Sequence, residues 1–285
     1  MKKLSEKHLR TIMIWVAVLG VLALFVALVA IPSLKRAAIA KAKEELFKTT
    51  YSFPENGLIT AKNGSNQNKE NSLLYVKAAL QDGVQCIEVD VCFNSEGKPY
   101  IAKNAEEIGE NTMPLEYLIS FICEESMYEN AQRHYINLHL CDASNLEEID
   151  RIIKSYDMLD YCFLTGVNIN QAKFVRTSCD VDFYLDYELD KNRAKDTSYM
   201  DIVLNDLSLS GAVGINCNVD GFSMEFSRFL KENWFKISFR DVEDELDIIT
   251  AISYSPDQII TSNPEYALSI LLEWHAKAPS SDIIY

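Results

Sequence analysis

The chain has 285 residues, of which 48% are hydrophobic and 24% charged, with a formal net charge of −15. These proportions exclude fully disordered, collagen-like and low-complexity chains, and the length suits one large domain or two ordinary ones. Residues 1–50 carry nine Lys/Arg and three Glu, whereas residues 51–285 carry 18 Lys/Arg and 39 Asp/Glu. Nucleic-acid phosphates bind basic surfaces. The excess of acidic residues over residues 51–285 therefore argues against a nucleic-acid partner.

The first predicted element is a membrane span from Thr11 to Leu34, a stretch without any charged residue. About 20 apolar residues in a helix cross the ~30 Å hydrocarbon layer. The stretch lacks the polar stripe of a soluble core helix, and it is longer than the ~7–15 apolar residues of a signal peptide. We therefore predict a short basic tail over residues 1–10, an uncleaved transmembrane helix over residues 11–34, and contact with the lipid bilayer through Thr11–Leu34.

The charges that flank this span leave its orientation open, because they are nearly equal in number on the two sides. They are Lys2, Lys3, Lys7 and Arg10 before the span, and Lys35, Arg36, Lys41 and Lys43 after it. A short leading tail favours a single-pass membrane protein with an extracytoplasmic body. The seven cysteines do not decide the compartment, since they are odd in number and no pair has the C-x-x-C spacing of a zinc or redox motif.

A juxtamembrane helix and linker are predicted over residues 35–56, because residues 35–50 are rich in helix formers and Pro54 interrupts the pattern. Short apolar runs then alternate with longer amphipathic ones. The strand candidates are Leu58–Lys62, Cys86–Cys92, Pro99–Lys103, Tyr135–Cys141, Cys162–Thr165, Asp182–Asp186, Ala212–Asn216, Lys236–Phe239 and Gln258–Thr261. The clearest helix candidates are Ser72–Gln81, Ser144–Tyr156, Gly221–Asn233, Val242–Ile252 and Pro264–Ala276.

This alternation predicts an α/β fold with a parallel sheet. Only residues 93–98 connect the second and third strand candidates, too few for a parallel crossover, and they include the turn-forming sequence Asn94-Ser95-Glu96-Gly97. We interpret these two strands as a hairpin, which leaves eight positions for a (β/α)₈ TIM barrel over residues 57–285. An open doubly wound sheet is the alternative, but no glycine-rich phosphate loop follows the first strand.

Glu88 and Asp90 are the first candidates for chemistry. They are two residues apart in an apolar strand, so both side chains lie on the same face. Two buried carboxylates are costly unless something compensates their charge. Either a divalent cation with oxygen ligands or nearby lysine and arginine side chains would do so.

The surrounding motifs resemble those of the glycerophosphodiester phosphodiesterase family from about Leu58 to Leu272. They are Lys62-Asn63-Gly64, Glu70-Asn71-Ser72, Gly83, Glu88-Val89-Asp90-Val91, Glu96-Gly97, Ile101-Ala102-Lys103-Asn104 and Ile259-Ile260-Thr261-Ser262-Asn263-Pro264. No single motif is specific, but their order and spacing match the family. The resemblance implies a TIM barrel that hydrolyses phosphodiesters in lipid metabolism, with two histidines as general acid and base and three carboxylates that hold a divalent cation.

This chain departs from the family at those positions. Lys62 and Lys103 stand at the two histidine positions, and Asn137 stands at the third acid, so that only Glu88 and Asp90 remain. The resemblance assigns Glu88, Asp90 and Asn137 to a weakened or absent metal site. The resemblance also assigns contacts with the substrate to Asn63, Asn71 and His139.

The lysines are expected to impair catalysis, because lysine titrates near 10.4 and histidine near 6.5. General acid–base catalysis contributes ~10²–10⁴-fold per positioned group. We expect Lys62 and Lys103 to form ion pairs with Glu88 and Asp90 and to take the place of the cation, in which case there is no cofactor. Mg²⁺ or Ca²⁺ is the expected cofactor if the protein is active.

Three hypotheses follow for the function. The first is a membrane-anchored pseudoenzyme of this family that binds a glycerol-phosphate type ligand or a partner with lost or weak hydrolysis. The second is an active metal-dependent phosphodiesterase with altered acid and base groups. The third is a non-catalytic structural protein at the membrane surface.

Overall fold

The computed structural model describes residues 6–54, 57–65, 68–127 and 133–279, and its body is a closed barrel of parallel strands surrounded by helices. The strands are β1 (Leu58–Ala61), β2 (Cys86–Phe93), β3 (Pro99–Ile101), β4 (Tyr135–Leu140), β5 (Cys162–Val167), β6 (Phe183–Asp186), β7 (Gly214–Cys217), β8 (Lys236–Phe239) and β9 (Gln258–Thr261). The helices are α1 (Glu6–Phe25), α2 (Ile31–Lys48), α3 (Leu73–Gln81), α4 (Leu115–Met127), α5 (Leu146–Ser155), α6 (Ile169–Ser178), α7 (Thr197–Ser210), α8 (Met224–Glu232), α9 (Glu245–Ser253) and α10 (Pro264–Lys277).

The barrel closes through β1, which pairs in parallel with both β2 and β9. Thr60 is the register partner of Cys86 on one side and of Ile260 on the other. Strand β3 lies outside this ring and pairs antiparallel with β2 alone, with Phe93 opposite Pro99. The predicted (β/α)₈ barrel and the predicted hairpin are both confirmed.

The barrel wall separates an apolar outer layer from a polar interior. The outward side chains of the strands pack against the helices and form the main core. Inside, Thr60, Asn137, Asn216, Ser238 and Gln258 are buried and hydrogen-bonded to one another or to neighbouring strands. Buried polar groups need hydrogen-bond partners, and these bonds hold the interior side chains in fixed orientations.

The N-terminal helix is long and apolar. A five-residue π-helical segment (Val26–Ala30) joins α1 to α2, and the side chains from Met13 to Val29 are exposed along their whole length. Among the described residues, Met13–Lys48 is the one helix whose length and composition suit a membrane span, a test that a signal sequence also passes. Residues 1–5 of the predicted basic tail lie outside the described residues.

Helix α2 packs onto the barrel beside α9 and α10. Leu46 is buried in the core, and the Trp274 indole donates a hydrogen bond to the Thr49 carbonyl at 3.2 Å. Lys43 forms an ion pair with Glu273 at 2.9 Å. The helix predicted over residues 35–50 is thus an outer helix of the barrel, and residues 55 and 56 of the predicted linker lie outside the described residues.

Candidate functional site

A cavity of about 330 Å³ opens at the carboxyl ends of the strands, where TIM barrels carry their functional groups. We call this end of the barrel the mouth. The predicted site residues that line it are Lys62, Asn63, Glu88, Asp90, Lys103 and His139. Asn71 and Asn137 complete the predicted set as hydrogen-bond partners of the two acids. The structure therefore brings all eight predicted residues together.

Three amides hold the two acids of β2. Asn137 Nδ2 donates to Glu88 Oε2 at 2.9 Å, because the two residues are register partners on β2 and β4. Asn63 Nδ2 and Asn71 Nδ2 donate to Asp90 Oδ2 at 2.7 and 3.0 Å. Every buried side-chain nitrogen and oxygen among the described residues has a partner, so this network is fully satisfied.

Backbone groups fix the orientation of two of these amides. The Asn71 N–H donates to Asn63 Oδ1 at 2.7 Å, and the Asp90 N–H donates to Asn71 Oδ1 at 3.1 Å. Both amide nitrogens consequently point at the Asp90 carboxylate. Asn71 adopts a left-handed backbone conformation (φ 54°), which asparagine tolerates better than most residues.

Burial changes the ionisation of Glu88. It raises the pKa of this carboxyl from 4.5 to about 8, and the nearby Asp90 contributes in the same direction. Glu88 is therefore largely protonated at neutral pH in this arrangement.

The ion pairs that we expected between the two lysines and the acids of β2 are not formed among the described residues, so this prediction is wrong. Lys62 Nζ lies 2.8 Å from both Asp241 Oδ1 and Glu243 Oε1, on the loop that follows β8. Lys103 instead forms an ion pair with Glu70. Spacing along the sequence could not show that Asp241, Glu243 and Glu70 lie close to the lysines. These acids are less buried than Glu88 and Asp90, so an ion pair with them costs less desolvation.

These partners keep both lysines protonated. Burial lowers the pKa of Lys62, but its hydrogen bonds with Asp241 and Glu243 outweigh that effect and hold the pKa above its usual 10.5. The hydrogen bond with Glu70 raises the pKa of Lys103. Neither amine therefore has the titration range of an imidazole.

The donor set does not fit the Mg²⁺ or Ca²⁺ ion that the family resemblance implies. Such ions take oxygen ligands, preferably several carboxylates. Here Glu88 and Asp90 accept hydrogen bonds from amide nitrogens, and Asn137 Oδ1 accepts one from the Thr165 hydroxyl at 2.8 Å. Protonated amines at Lys62 and Lys103 also disfavour a cation at this place.

A second group of possible metal ligands lies beside this network. The ligating atoms of Asp90, His139 and Cys141 all lie within 4.8 Å of one another. His139 is the register partner of Asp90, and Cys141 follows two residues later, which brings the three to one face. Cys141 belongs to no pair with C-x-x-C spacing, so the cysteine pattern gave no signal for it.

Arg240 is a further cation of the mouth that the sequence analysis missed. Its Nη1 lies 2.9 Å from Asp186 Oδ2, and Asn216 Nδ2 donates to the other oxygen of Asp186 at 2.8 Å. Arg240 also forms an ion pair with Glu188, and its side chain remains 21% exposed. Its position directly after the strand candidate Lys236–Phe239 was the signal that could have found it.

A different cavity, of about 510 Å³, lies at the amino ends of the strands. Its lining includes Tyr135, Phe163 and Tyr184, whose rings fill the base of the barrel. Since the amino-end face of a TIM barrel serves stability, we place the candidate site at the mouth.

Comparisons with known proteins show what this architecture is similar to. No protein-family model matches the sequence, and no curated protein matches it either. A candidate glycerophosphoryl diester phosphodiesterase from Silicibacter pomeroyi DSS-3 is 13% identical, with a TM-score of 0.61 over 84% of this chain and 99% of that one. A glycerophosphodiester phosphodiesterase from Parabacteroides distasonis ATCC 8503 is 14% identical, with a TM-score of 0.56 over 76% of this chain and 98% of that one.

An Oleispira antarctica phosphodiesterase, solved in complex with the product sn-glycerol-3-phosphate, is 17% identical to this chain. Its TM-score is 0.55 over 77% of this chain and 97% of that one. Sequence identities this low establish the architecture alone. The chain has the barrel fold found in the glycerophosphodiester phosphodiesterases.

Proposed function

We propose that this protein is a membrane-anchored member of the glycerophosphodiester phosphodiesterase family that binds a glycerol-phosphate type ligand, with weak or lost hydrolysis. The observation that carries the proposal is the state of Lys62 and Lys103. Both occupy the family's histidine positions at the mouth, and both are held protonated by carboxylates other than Glu88 and Asp90.

Binding is supported by the cations at the mouth. Lys62, Lys103 and Arg240 line the same cavity, and each is a potential donor to phosphate oxygens. The fold is shared with a phosphodiesterase that was solved with sn-glycerol-3-phosphate. A phosphodiester at the mouth would thus meet donors, but no imidazole at either motif position to exchange its proton near neutral pH.

Anchoring is supported by the apolar side chains from Met13 to Val29, which are exposed and would be unfavourable in water. We propose a single pass through the membrane over residues 11–34. The barrel then follows as an extracytoplasmic domain over residues 57–285, with residues 35–56 as the connection.

The test uses the purified full chain in detergent, because α2 is part of the packed barrel. Its hydrolysis of glycerophosphocholine and glycerophosphoglycerol is measured with Mg²⁺ or Ca²⁺, and binding of both compounds is measured by thermal shift. We expect at least one of the two compounds to raise the melting temperature, with little or no turnover. Turnover that depends on the metal and is abolished by Glu88→Ala would instead identify an active phosphodiesterase. The absence of both binding and turnover would leave a structural role.

A further inference from the structure

The direction in which α2 lies on the barrel determines which end of the barrel is nearer to the apolar segment. Lys35, near the start of α2, forms an ion pair with Asp244 at the mouth. Asp244 directly follows Glu243, which accepts the hydrogen bond from Lys62. At the other end, Thr49 contacts Trp274 near the end of α10, which runs from the mouth to the base.

These contacts set the height of the barrel along the helix. The 14 residue steps from Lys35 to Thr49 correspond to about 21 Å at 1.5 Å per residue. Contact with the barrel thus begins immediately after Leu34, where the apolar sequence ends, and continues away from it. When α1 spans a bilayer, the mouth lies at the level of the headgroups, and the base lies about 20 Å further into water.

The charges of the mouth restrict what can bind there. Among the described residues, the cations that line its cavity are Lys62, Lys103 and Arg240. The carboxyl groups that contact them or lie beside them are Glu70, Glu88, Asp90, Asp186, Glu188, Asp241 and Glu243. Negative charge predominates among these described residues even with Glu88 protonated. A ligand with only negative charge is therefore disfavoured, whereas a ligand that carries both a phosphate and an ammonium group finds partners for both.

We infer that the mouth faces the surface of the bilayer and takes the zwitterionic phosphodiester headgroup of a membrane lipid. This inference rests on the proposed function, because it names the ligand of the same site. The phosphate would lie against Lys62, Lys103 and Arg240. The ammonium group would lie against the carboxylates that surround these cations at the mouth.

The orientation is tested with the full chain in nanodiscs. A fluorescent unnatural amino acid is placed either at Glu106, an exposed residue of the mouth, or at Glu232, an exposed residue at the end of α8 near the base. Energy transfer to acceptor-labelled lipid headgroups is measured for each. We expect clearly higher transfer from position 106. Equal transfer, or higher transfer from position 232, would overturn the inference.

The ligand is tested with the full chain in maltoside micelles by thermal shift. Lysophosphatidylcholine is compared with lysophosphatidylglycerol and with soluble glycerophosphocholine, and Arg240→Gln is used to separate binding from effects of the lipid on the micelle. We expect lysophosphatidylcholine to act at a concentration at least tenfold below that of glycerophosphocholine, since the micelle concentrates it beside the mouth. We also expect it to act at a lower concentration than lysophosphatidylglycerol, and we expect Arg240→Gln to raise the concentration needed by about tenfold.

The outcomes separate this inference from the proposed function. Stabilisation by glycerophosphocholine alone would overturn the inference and leave the proposed function standing. Equal or stronger stabilisation by lysophosphatidylglycerol would overturn the zwitterionic assignment. No stabilisation by any of the three compounds would overturn the proposed function, and the inference with it.

Discussion

Glu88 and Asn137 face each other across β2 and β4 and share a hydrogen bond of 2.9 Å, in the place where the family resemblance implied a cation held by three carboxylates. The amide satisfies one oxygen of Glu88 without supplying positive charge. Since Glu88 is buried, its carboxyl keeps its proton at pH values well above its usual pKa of 4.5. The pH dependence of stability follows from this pair.

We predict that the protein loses stability as the pH rises from about 4.5 to about 8. The pKa of Glu88 is raised from 4.5 to about 8 in the folded state, so the folded state binds more protons than the unfolded state within this window. The cost of ionising the buried carboxyl is absent below about pH 4.5 and fully present above about pH 8. Melting temperatures measured from pH 5 to pH 9 test this.

Glu88→Gln is the matched variant for that prediction, because glutamine keeps the size of the side chain and cannot ionise. It should flatten the pH dependence and raise the melting temperature relative to the unsubstituted protein above pH 8. If the melting temperature of the unsubstituted protein instead rises from pH 5 to pH 8, Glu88 is compensated by a charge that the described residues do not provide.

On the proposed function, we predict that hydrolysis appears when the groups implied by the family resemblance are introduced together. Lys62→His and Lys103→His supply groups that titrate near 6.5, and Asn137→Glu supplies a third oxygen-donating charge for a divalent cation. The triple variant should hydrolyse glycerophosphoglycerol at least ~100-fold faster than the unsubstituted chain in Mg²⁺ or Ca²⁺. Its melting temperature is measured first to establish that it folds, and Glu88→Ala in the same background should abolish the gain.

We predict that Arg240 contributes to ligand affinity. Arg240→Gln removes a partly buried donor and should weaken binding of a glycerophosphodiester by about tenfold, or about 1.4 kcal/mol. Arg151→Gln is the control, because Arg151 forms exposed ion pairs on α5, away from the mouth. Equal affinity of Arg240→Gln and the unsubstituted chain in a thermal-shift titration would contradict the assignment.

We predict that Asn63 and Asn71 stabilise the barrel through the same carboxylate. Asn63→Ala or Asn71→Ala removes one donor to Asp90 and should cost about 1–3 kcal/mol of unfolding free energy. Because the two amides also bond to each other at 2.9 Å, the costs should not add in the double variant. Denaturant unfolding of the four proteins measures this, and strict additivity would show that the amides act independently.

We predict that α2 is needed for the stability of the barrel. Leu46 is 3% exposed in the core, and Leu46→Ala should cost about 2–4 kcal/mol. Leu74→Ala is the control, since Leu74 is 74% exposed on α3, and it should change stability by less than about 0.5 kcal/mol. A loss for Leu46→Ala no larger than that of the control would show that α2 does not contribute.

Local sequence signals predicted most of the fold. The apolar runs found all nine strands, and the short turn at Asn94 identified the hairpin, because strand periodicity and turn chemistry act over a few residues. Ser72 was a sound helix start, and its hydroxyl accepts the Tyr75 N–H. The helix boundary predicted at Ser144 was less accurate, since α5 begins at Leu146 after Asn145.

The order of motifs along the chain predicted which residues belong to the site, but not the contacts between them. Motif spacing indicated the eight residues that meet at the mouth or support it, but it could not show which acid pairs with which lysine. Asp241 and Glu243 reach Lys62 from 179 and 181 residues away, on the loop that follows β8. Arg240 was missed for the same reason, because its role depends on the side chains that the closed barrel places around it.

Closure of the ring between β1 and β9 also constrains how the protein reaches its native state. Leu58 and Gln258 are register partners separated by 200 residues, so the ring cannot close until almost the whole sequence has been synthesised. By then the apolar helix that precedes β1 has long been available for insertion. A barrel whose N-terminal helix is already inserted would thus complete its folding beside the lipid surface, with strand edges exposed until the ring closes.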